Sequence, residues 1–454
     1  MVLCLDLWSR TLSVIPSPAV PRAPTTSDRV TAERPGAAGV TPGVTPGDTT
    51  STPGDAAGSS GECADARAAD RVVWLVDLDA FYVSVERLKD PALAGKAVIV
   101  GHASRERGVV CSASYEARAF GVHSAMPMSR AIAACPHAVV IPPDFPAYDA
   151  ASEGVFRRLR TLAPRLEQVS IDEAYLDVSG MDVSGLVPSS PLDVGDDSSN
   201  AGGGPPGKHG TTPDRAPLGW VDVAARVRAH LLAETGLSVS IGIGSSKSVA
   251  KVAANLAKPG GVLEVARGHE AAFLAGLPVD ALPGVGPKTR ERFAALRIHT
   301  IGDLARVPAD ELAATFGSAG ADLVRRARGI DDEPVEGEPR TPRSVSRETT
   351  FASDTADERV VAATLDVLAR SAAATLRGEA LFAGAVVVKW RDAEFRTFTA
   401  RTRLLAPSNR DVVVLDAVDR LRRRRHDPRR RLRLVGVSLT DLCADQGHQL
   451  DLFE

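Results

Sequence analysis

The 454-residue sequence predicts an α+β protein with room for about three domains at the usual ~150 residues each. Two observations carry that expectation. From residue 71 onward, apolar runs of strand length such as VVWLV and LSVSIGIG alternate with segments such as KSVAKVAANLA, whose apolar residues recur at helical spacing. No apolar run approaches the ~20 residues that a membrane span requires. Aromatic residues make up only 4% of the chain, so aliphatic side chains must supply most of the core.

Residues 1–70 are rich in Pro, Gly, Ser, Thr and Ala, lack sustained periodicity and read as a disordered extension. The opening MVLCLDLWSRTLSVIP does not read as an export signal, because Asp6 and Arg10 interrupt its apolar run and no basic segment precedes it. Structure-like sequence begins abruptly at RVVWLVDLDAFY, which raises the question of a translation start further downstream.

Residues 72–76, VVWLV, read as a fully buried strand ending at Asp77. Asp79 is placed to cap the next helix, in which Phe81, Val85 and Leu88 recur at helical spacing. KAVIVG and GVVCSAS read as two further strands, and SYEARAFGVHSAMPMSRAIAAC as helical pieces broken by Gly121 and Pro127. In VSIDEAYLDV, residues 169–178, the apolar positions change parity: Val169 and Ile171 are odd, whereas Ala174, Leu176 and Val178 are even. A regular strand would then expose half its core face, so a hairpin turn or bulge is expected at Asp172–Glu173. Residues 180–218, including DDSSNAGGGPPG, are too long and polar for an ordinary connection and read as a surface insertion. Helix 220–234, strand LSVSIGIG and helix KSVAKVAANLA follow, and residues 266–330 read as short helices joined by Gly-containing turns. From 344 onward, helix 356–375, strands around AGAVVVKW and FRTFTARTRLL, helix 411–425 and strand RLRLVGVSL form another α+β unit.

The net charge of −3 conceals an asymmetry: residues 341–440 hold 20 Arg and Lys against 12 Asp and Glu, a local charge of +8. A basic module in a near-neutral chain is the footprint of a polyanion partner. The five cysteines, at 4, 63, 111, 135 and 443, have neither metal-ligand nor disulfide-framework spacing, which points to a reducing compartment, the cytoplasm.

Several residue groups suggest chemistry, each with an ordinary alternative. If the strands ending at Asp77 and Glu173 are neighbours, Asp77, Asp172 and Glu173 converge at one sheet end, an oxygen-ligand set suited to Mg²⁺; otherwise Asp77 caps a loop and the pair is solvated. Tyr115 and Arg118, three apart on one helix face, suit a polyphosphate or are a half-buried Tyr beside a surface Arg. Lysine is scarce, yet Lys247, Lys251 and Lys258 fall near one helix face, as triphosphate partners or as a solvated face. LPGVGPKT, 282–289, resembles a helix-hairpin-helix turn in which Gly284 and Gly286 let the backbone approach a phosphate and Lys288 adds charge, or it is an ordinary helical turn. Eight Arg between 422 and 433 favour phosphate-backbone binding over a solvated helix end. The end GHQLDLFE carries Leu450, Leu452 and Phe453 as a docking peptide or a frayed strand.

DLDAFYVSVE, SYEARAFGV, VSIDEAYLDV, GIGSSKSVAKVAANLAKPGG and LPGVGPKT, in this order, closely resemble Y-family DNA polymerases, most of all the DinB branch, over about residues 71–440. The resemblance implies a right-hand fold: palm from 71–80 and 144–265, fingers 81–143, thumb 266–338, and an α+β little finger 345–440, followed by a clamp-binding tail 441–454. It implies that Asp77, the carbonyl of Leu78, Asp172 and Glu173 hold two Mg²⁺ ions, with Glu173 either a ligand or the group that helps the primer hydroxyl lose its proton. Tyr82 matches a steric gate against a 2′-OH. Phe81, Tyr82, Tyr115, Arg118 and Lys258 match nucleotide contacts, and Val109 and Cys111 match the roof over the templating base. Gly284, Gly286, Lys288, Arg343, Arg347, Arg431 and Arg433 are the expected DNA contacts. Gln449, Leu450, Leu452 and Phe453 match a peptide for the β sliding clamp. The implied partners are primer–template DNA, deoxynucleoside triphosphates and the clamp, with the chain itself a monomer. The rival reading is a non-catalytic accessory protein on the same fold, which is expected to lack the metal-binding acids that stand here.

Overall fold

Six consecutive buried residues, VWLVDL, form the first strand, β1 (Val73–Leu78), of a computed structural model that describes residues 71–102, 107–163, 165–181, 219–337, 341–425 and 429–444. After it come α1 (Phe81–Lys89), β2 (Val98–Gly101), β3 (Val110–Ala113), α2 (Tyr115–Arg118), α3 (Met128–Ala134), β4 (Val139–Ile141) and α4 (Phe145–Arg160). The chain continues through β5 (Arg165–Gln168), β6 (Glu173–Asp177), α5 (Trp220–Thr235), β7 (Val239–Gly244), α6 (Lys247–Ala257) and β8 (Val262–Glu264). A helical stretch follows: α7 (Glu270–Ala275), α8 (Pro287–Ala295), α9 (Ile301–Arg306), α10 (Ala309–Phe316) and α11 (Ser318–Ala327). The last unit is β9 (Ser344–Thr355), α12 (Glu358–Gly378), β10 (Leu381–Asp392), β11 (Thr397–Ser408), α13 (Asp411–Arg425) and β12 (Leu432–Ala444).

β1 is the centre of a five-stranded sheet ordered β5-β6-β1-β7-β8, antiparallel to both neighbours. Strand alternation divides its residues between two cores. Trp74, Val76 and Leu78 pack with α1, α4 and α5, whereas Val73 and Leu75 face Ala250 and Ala254 of α6. Asp77 has the parity of the second set, so it looks toward α6. That helix lies against β7 at backbone distance: a Cβ on Gly242 would stand 2.1 Å from the Ala250 carbonyl oxygen.

The expected turn in VSIDEAYLDV is present, shifted slightly toward the N-terminus. Residues 169–172 make the turn, with Val169 N donating to the Glu173 carbonyl (3.1 Å), and Glu173 already opens β6 opposite Asp77. The three-stranded sheet β3-β2-β4 carries α2 and α3 and has its own core around Ile99, Met128 and Ala131. The helical stretch has a core of its own, around Phe293, Ile301 and Val324. The four-stranded antiparallel sheet β11-β10-β12-β9 buries one face under α12 and α13.

Elements absent from the sequence reading are β4, α4, β5 as a separate strand, β8 and β9. β9 hides because Arg347 takes one of its buried positions and breaks the apolar alternation. The expected disordered extension and most of the insertion, residues 182–218, lie outside the described residues, as do Gln449, Leu450, Leu452 and Phe453. Among the described residues no helix is long and apolar enough to cross a membrane.

Candidate active site

The end of β1 gathers the acids. Asp77, 6% exposed, sits in register with Glu173, and the Leu78 amide donates to the carbonyl of Asp172 (2.8 Å), tying the turn to the strand. Asp172 accepts from the Ser170 hydroxyl (2.6 Å). Burial pushes the Asp77 carboxyl up to about 6; Lys258 opposes the rise, and the charges of Asp172 and Glu173 add to it.

α6 and the residue that follows it, Lys258, bring lysines to Asp77, Glu173 and Glu167. Lys258 Nζ is 2.7 Å from Asp77, and Lys251 reaches both oxygens of Glu173 at 2.7 and 2.6 Å. Lys247 is buried, 2.5 Å from Glu167 and 5.4 Å from the centre of the Tyr175 ring, so it neither lies on a solvated face nor serves a nucleotide. As they stand, no three acidic, imidazole or thiol groups among the described residues surround a single point. The donor set still fits a hard divalent ion: the charges of Asp172 and Glu173 are close enough to raise the proton affinity of Asp77, and the cations beside Asp77 and Glu173 are displaceable lysines.

Tyr82, 5% exposed, is held as a wall. Its ring stacks on Tyr148 (centroids 4.2 Å, planes 11° apart) and meets Phe145 edge-on. Tyr148 is fixed by donating to Glu86 (2.7 Å), which also takes Lys89 (2.9 Å). Phe81, 3% exposed, lies beside Tyr82 in the same core of α1, α4 and α5.

Tyr115 and Arg118 do share a face, the guanidinium lying 4.7 Å from the centre of the Tyr115 ring. Asp79 is not the helix cap expected of it. Ala80, at φ +44°, holds that position, and the Asp79 carboxylate accepts from Ser240 (2.7 Å), Ser238 (2.8 Å), the Gly260 amide (2.8 Å) and the Tyr115 phenol (3.2 Å). Burial and then the Asp79 charge raise the Tyr115 pKa, keeping the phenol protonated. Asp79 thus links β1, β7, the Lys258–Gly260 loop and α2, a role its capping-type position in the sequence disguised.

A cavity of about 360 Å³ opens beyond α2, with Val109 and Cys111 on one wall and Thr350, Arg433 and Leu434 on the other. Arg107 crosses beside it, donating to the Phe351 carbonyl (2.8 Å) and pairing with Asp354 (2.7 Å). Gly284, at φ +97°, Gly286 at the N-terminus of α8, and Lys288 are all exposed around buried Leu282 and Val285. Arg343 and Arg431 are exposed, and Arg433 is half-buried. Arg347 is a correction to the expected DNA contacts: at 5% exposure it lies on the helix side of the sheet, bonded to Ser371 (3.3 Å) and Thr375 (2.6 Å) of α12.

Models of known families match three parts of the chain: the impB/mucB/samB family over residues 76–255, the DNA polymerase-iota thumb domain over 280–331, and the impB/mucB/samB family C-terminal domain over 342–452. DNA polymerase IV of Methanoculleus marisnigri is 43% identical over 338 residues, 74% of this chain and 84% of that one. This chain belongs to the DinB branch of the Y-family DNA polymerases. Within that family, DNA polymerase IV of Dehalococcoides mccartyi is 39% identical over 83% of this chain and 89% of its own. Among solved Y-family structures, a Dbh–Dpo4–Dbh chimera superposes with a TM-score of 0.65 at 26% identity, covering 82% of this chain and all of that one. DinB from Sulfolobus solfataricus gives 0.53 at 26% identity, over 81% and 98%.

Proposed function

We propose that this chain copies primed DNA templates past damaged bases, with low fidelity, by nucleotidyl transfer at Asp77, Asp172 and Glu173. The observation that carries the reading is the meeting of these acids at one end of β1, with Tyr82 on one side and Tyr115, Arg118 and Lys258 on the other. In the reaction the primer 3′ hydroxyl gives up its proton, which Glu173 helps to remove, and its oxygen bonds to the α-phosphorus of the incoming nucleotide. The bond from that phosphorus to the β-phosphate oxygen breaks as pyrophosphate leaves. Asp77, Asp172, Glu173 and the Leu78 carbonyl are the groups to hold two Mg²⁺ ions. Bound there, such ions supply Lewis-acid stabilisation of the attacking and leaving oxygens.

The chain's own groups then have distinct tasks. Lys258 exchanges Asp77 for the triphosphate when a nucleotide arrives, the phenolic proton of Tyr115 turns from Asp79 to a phosphate oxygen, and Arg118 adds a planar fork of donors. Tyr82, braced by Tyr148, clashes with a 2′-OH and so selects deoxynucleotides without a new attractive contact. Val109 and Cys111 leave room over a distorted templating base. Residues 71–80 and 144–265 act as palm, 81–143 as fingers, 266–338 as thumb and 345–440 as little finger, with Gly284, Gly286, Lys288, Arg343, Arg431 and Arg433 on the duplex. The segment QLDLF tethers a monomer to the sliding clamp and raises its effective concentration at the primer end. The free thiols of Cys111, Cys135 and Cys443 suit work in the reducing cytoplasm.

Primer extension tests the reading. The purified chain with Mg²⁺ and all four dNTPs extends a labelled primer, and Asp172→Ala lowers the rate by at least about 100-fold, since even outer-shell partners of metal ligands cost about 10–100-fold. No extension by the unmodified chain, or equal extension by the variant, contradicts it.

A further inference from the structure

The turn joining β10 to β11 is organised by one buried carboxylate. Asp392 Oδ1 accepts from the amides of Glu394 (3.1 Å) and Arg396 (2.9 Å), while Oδ2 accepts from Arg396 Nε (2.8 Å) and from Arg430 (3.0 Å). Arg430, held in this way, lies 4.2 Å from the centre of the Phe398 ring, so that ring belongs to the turn's own packing. Phe395 is different. Its φ is +62° and its ring is 62% exposed at the tip. A left-handed turn position favours Gly, Asn or Asp, and a bulky residue there is an outlier. Folding gives no reason for a strained, exposed phenylalanine at this point.

Its surroundings indicate what it touches. The Arg433 guanidinium lies 4.5 Å from the Phe395 ring centre, which backs the ring with a cation. Arg433 also lines the cavity whose opposite wall holds Val109 and Cys111. Arg429, Arg430, Arg431 and Arg433 fall within five positions, and the sequence neighbours of Phe395 are Glu394 and Arg396. An apolar protein partner would require contiguous apolar surface, whereas the contact this ring makes is with the Arg433 guanidinium. An aromatic face among guanidinium groups is the combination that holds unpaired nucleotides, the base stacking on the ring while cations meet the phosphates.

We propose that Phe395, backed by Arg433, is a stacking platform for an unpaired base of the template strand ahead of the position being copied. This rests on the polymerase reading, which puts the templating base under Val109 and Cys111 and so sends the uncopied strand out beside Arg433.

Fluorescence anisotropy tests it with the full chain and two labelled primer–templates that share one duplex and differ only in a one- or six-nucleotide 5′ overhang. The unmodified chain binds the longer overhang more tightly, and Phe395→Ala removes about 5- to 10-fold of that difference, the low end for one base–aromatic stack. Phe395→Trp keeps the difference, and replacing the overhang bases by abasic sites abolishes it. Phe395→Gly leaves the melting temperature unchanged or raises it. An unchanged overhang preference in Phe395→Ala, equal binding of both overhangs by the unmodified chain, full preference with abasic sites, or a lower melting temperature in Phe395→Gly overturns the proposal. Primer extension by the same preparation separates the two readings: extension without overhang preference sinks the platform alone, and its absence sinks the polymerase.

Discussion

Asp77 and Glu173 face each other across β1 and β6, and each is matched by a lysine, Lys258 just after α6 and Lys251 within it. The arrangement solves a problem that like charges at a buried strand end would otherwise create, because an unpaired buried carboxylate is costly. The acids themselves were readable in the sequence, since a parity change in VSIDEAYLDV leaves few other places for Asp172 and Glu173. Asp79 was not, because its partners Ser238, Ser240 and Gly260 lie 159 to 181 residues away and no local pattern encodes them. Tyr82 belongs to the same scale. Its ring is braced by Tyr148 and Phe145, so removing it opens space that the neighbours do not fill at once. Tyr82→Ala therefore lowers the preference for dNTPs over rNTPs by about 10-fold or more, the order reached when a shape constraint of one group is lifted. Single-nucleotide insertion with matched dNTP and rNTP reads this out, and unchanged sugar selectivity removes Tyr82 from the role.

Among the elements, α6 matters most to the site, because it presents Lys251 and its C-terminal neighbour Lys258 to the acids. Its position depends on Gly242, where any Cβ would stand 2.1 Å from the Ala250 carbonyl oxygen and 2.2 Å from the Ala254 amide. Gly242→Ala must push the helix off the sheet. We expect a stability loss of about 1–3 kcal/mol or more, the range for overpacked cores, together with weaker nucleotide binding as Lys258 moves. Denaturant unfolding and a nucleotide titration measure both; a variant as stable as the parent contradicts this account of the packing. The sequence showed α6 and β7 clearly through their apolar periods. It did not show β9, because a buried arginine satisfied by α12 hydroxyls looks the same in sequence as a solvent-facing one. For that reason Arg347 was read as a DNA contact.

Across the whole molecule, the average charge is the least informative number. A chain at −3 carries a unit at +8, and the unit sits against the three-stranded sheet through Arg107, 244 residues away from the Phe351 carbonyl it binds. That contact frames the cavity between Val109 and Arg433, and it follows from tertiary docking alone, so no motif announced it. The fold class was legible in the alternation of strand-length and helix-spaced apolar runs, and the family in several specific motifs that occur in one order. Central to the proposed function is metal binding by Asp77, Asp172 and Glu173, two of which Lys258 and Lys251 now hold. Crystals of the chain with primer–template, a non-hydrolysable dNTP and Mn²⁺ test it directly by diffraction at the manganese edge. Two anomalous peaks within reach of Asp77, Asp172 and Glu173, with Lys258 moved from Asp77 to the triphosphate, are the predicted result. Manganese elsewhere, or both lysine bridges intact with nucleotide bound, would contradict it.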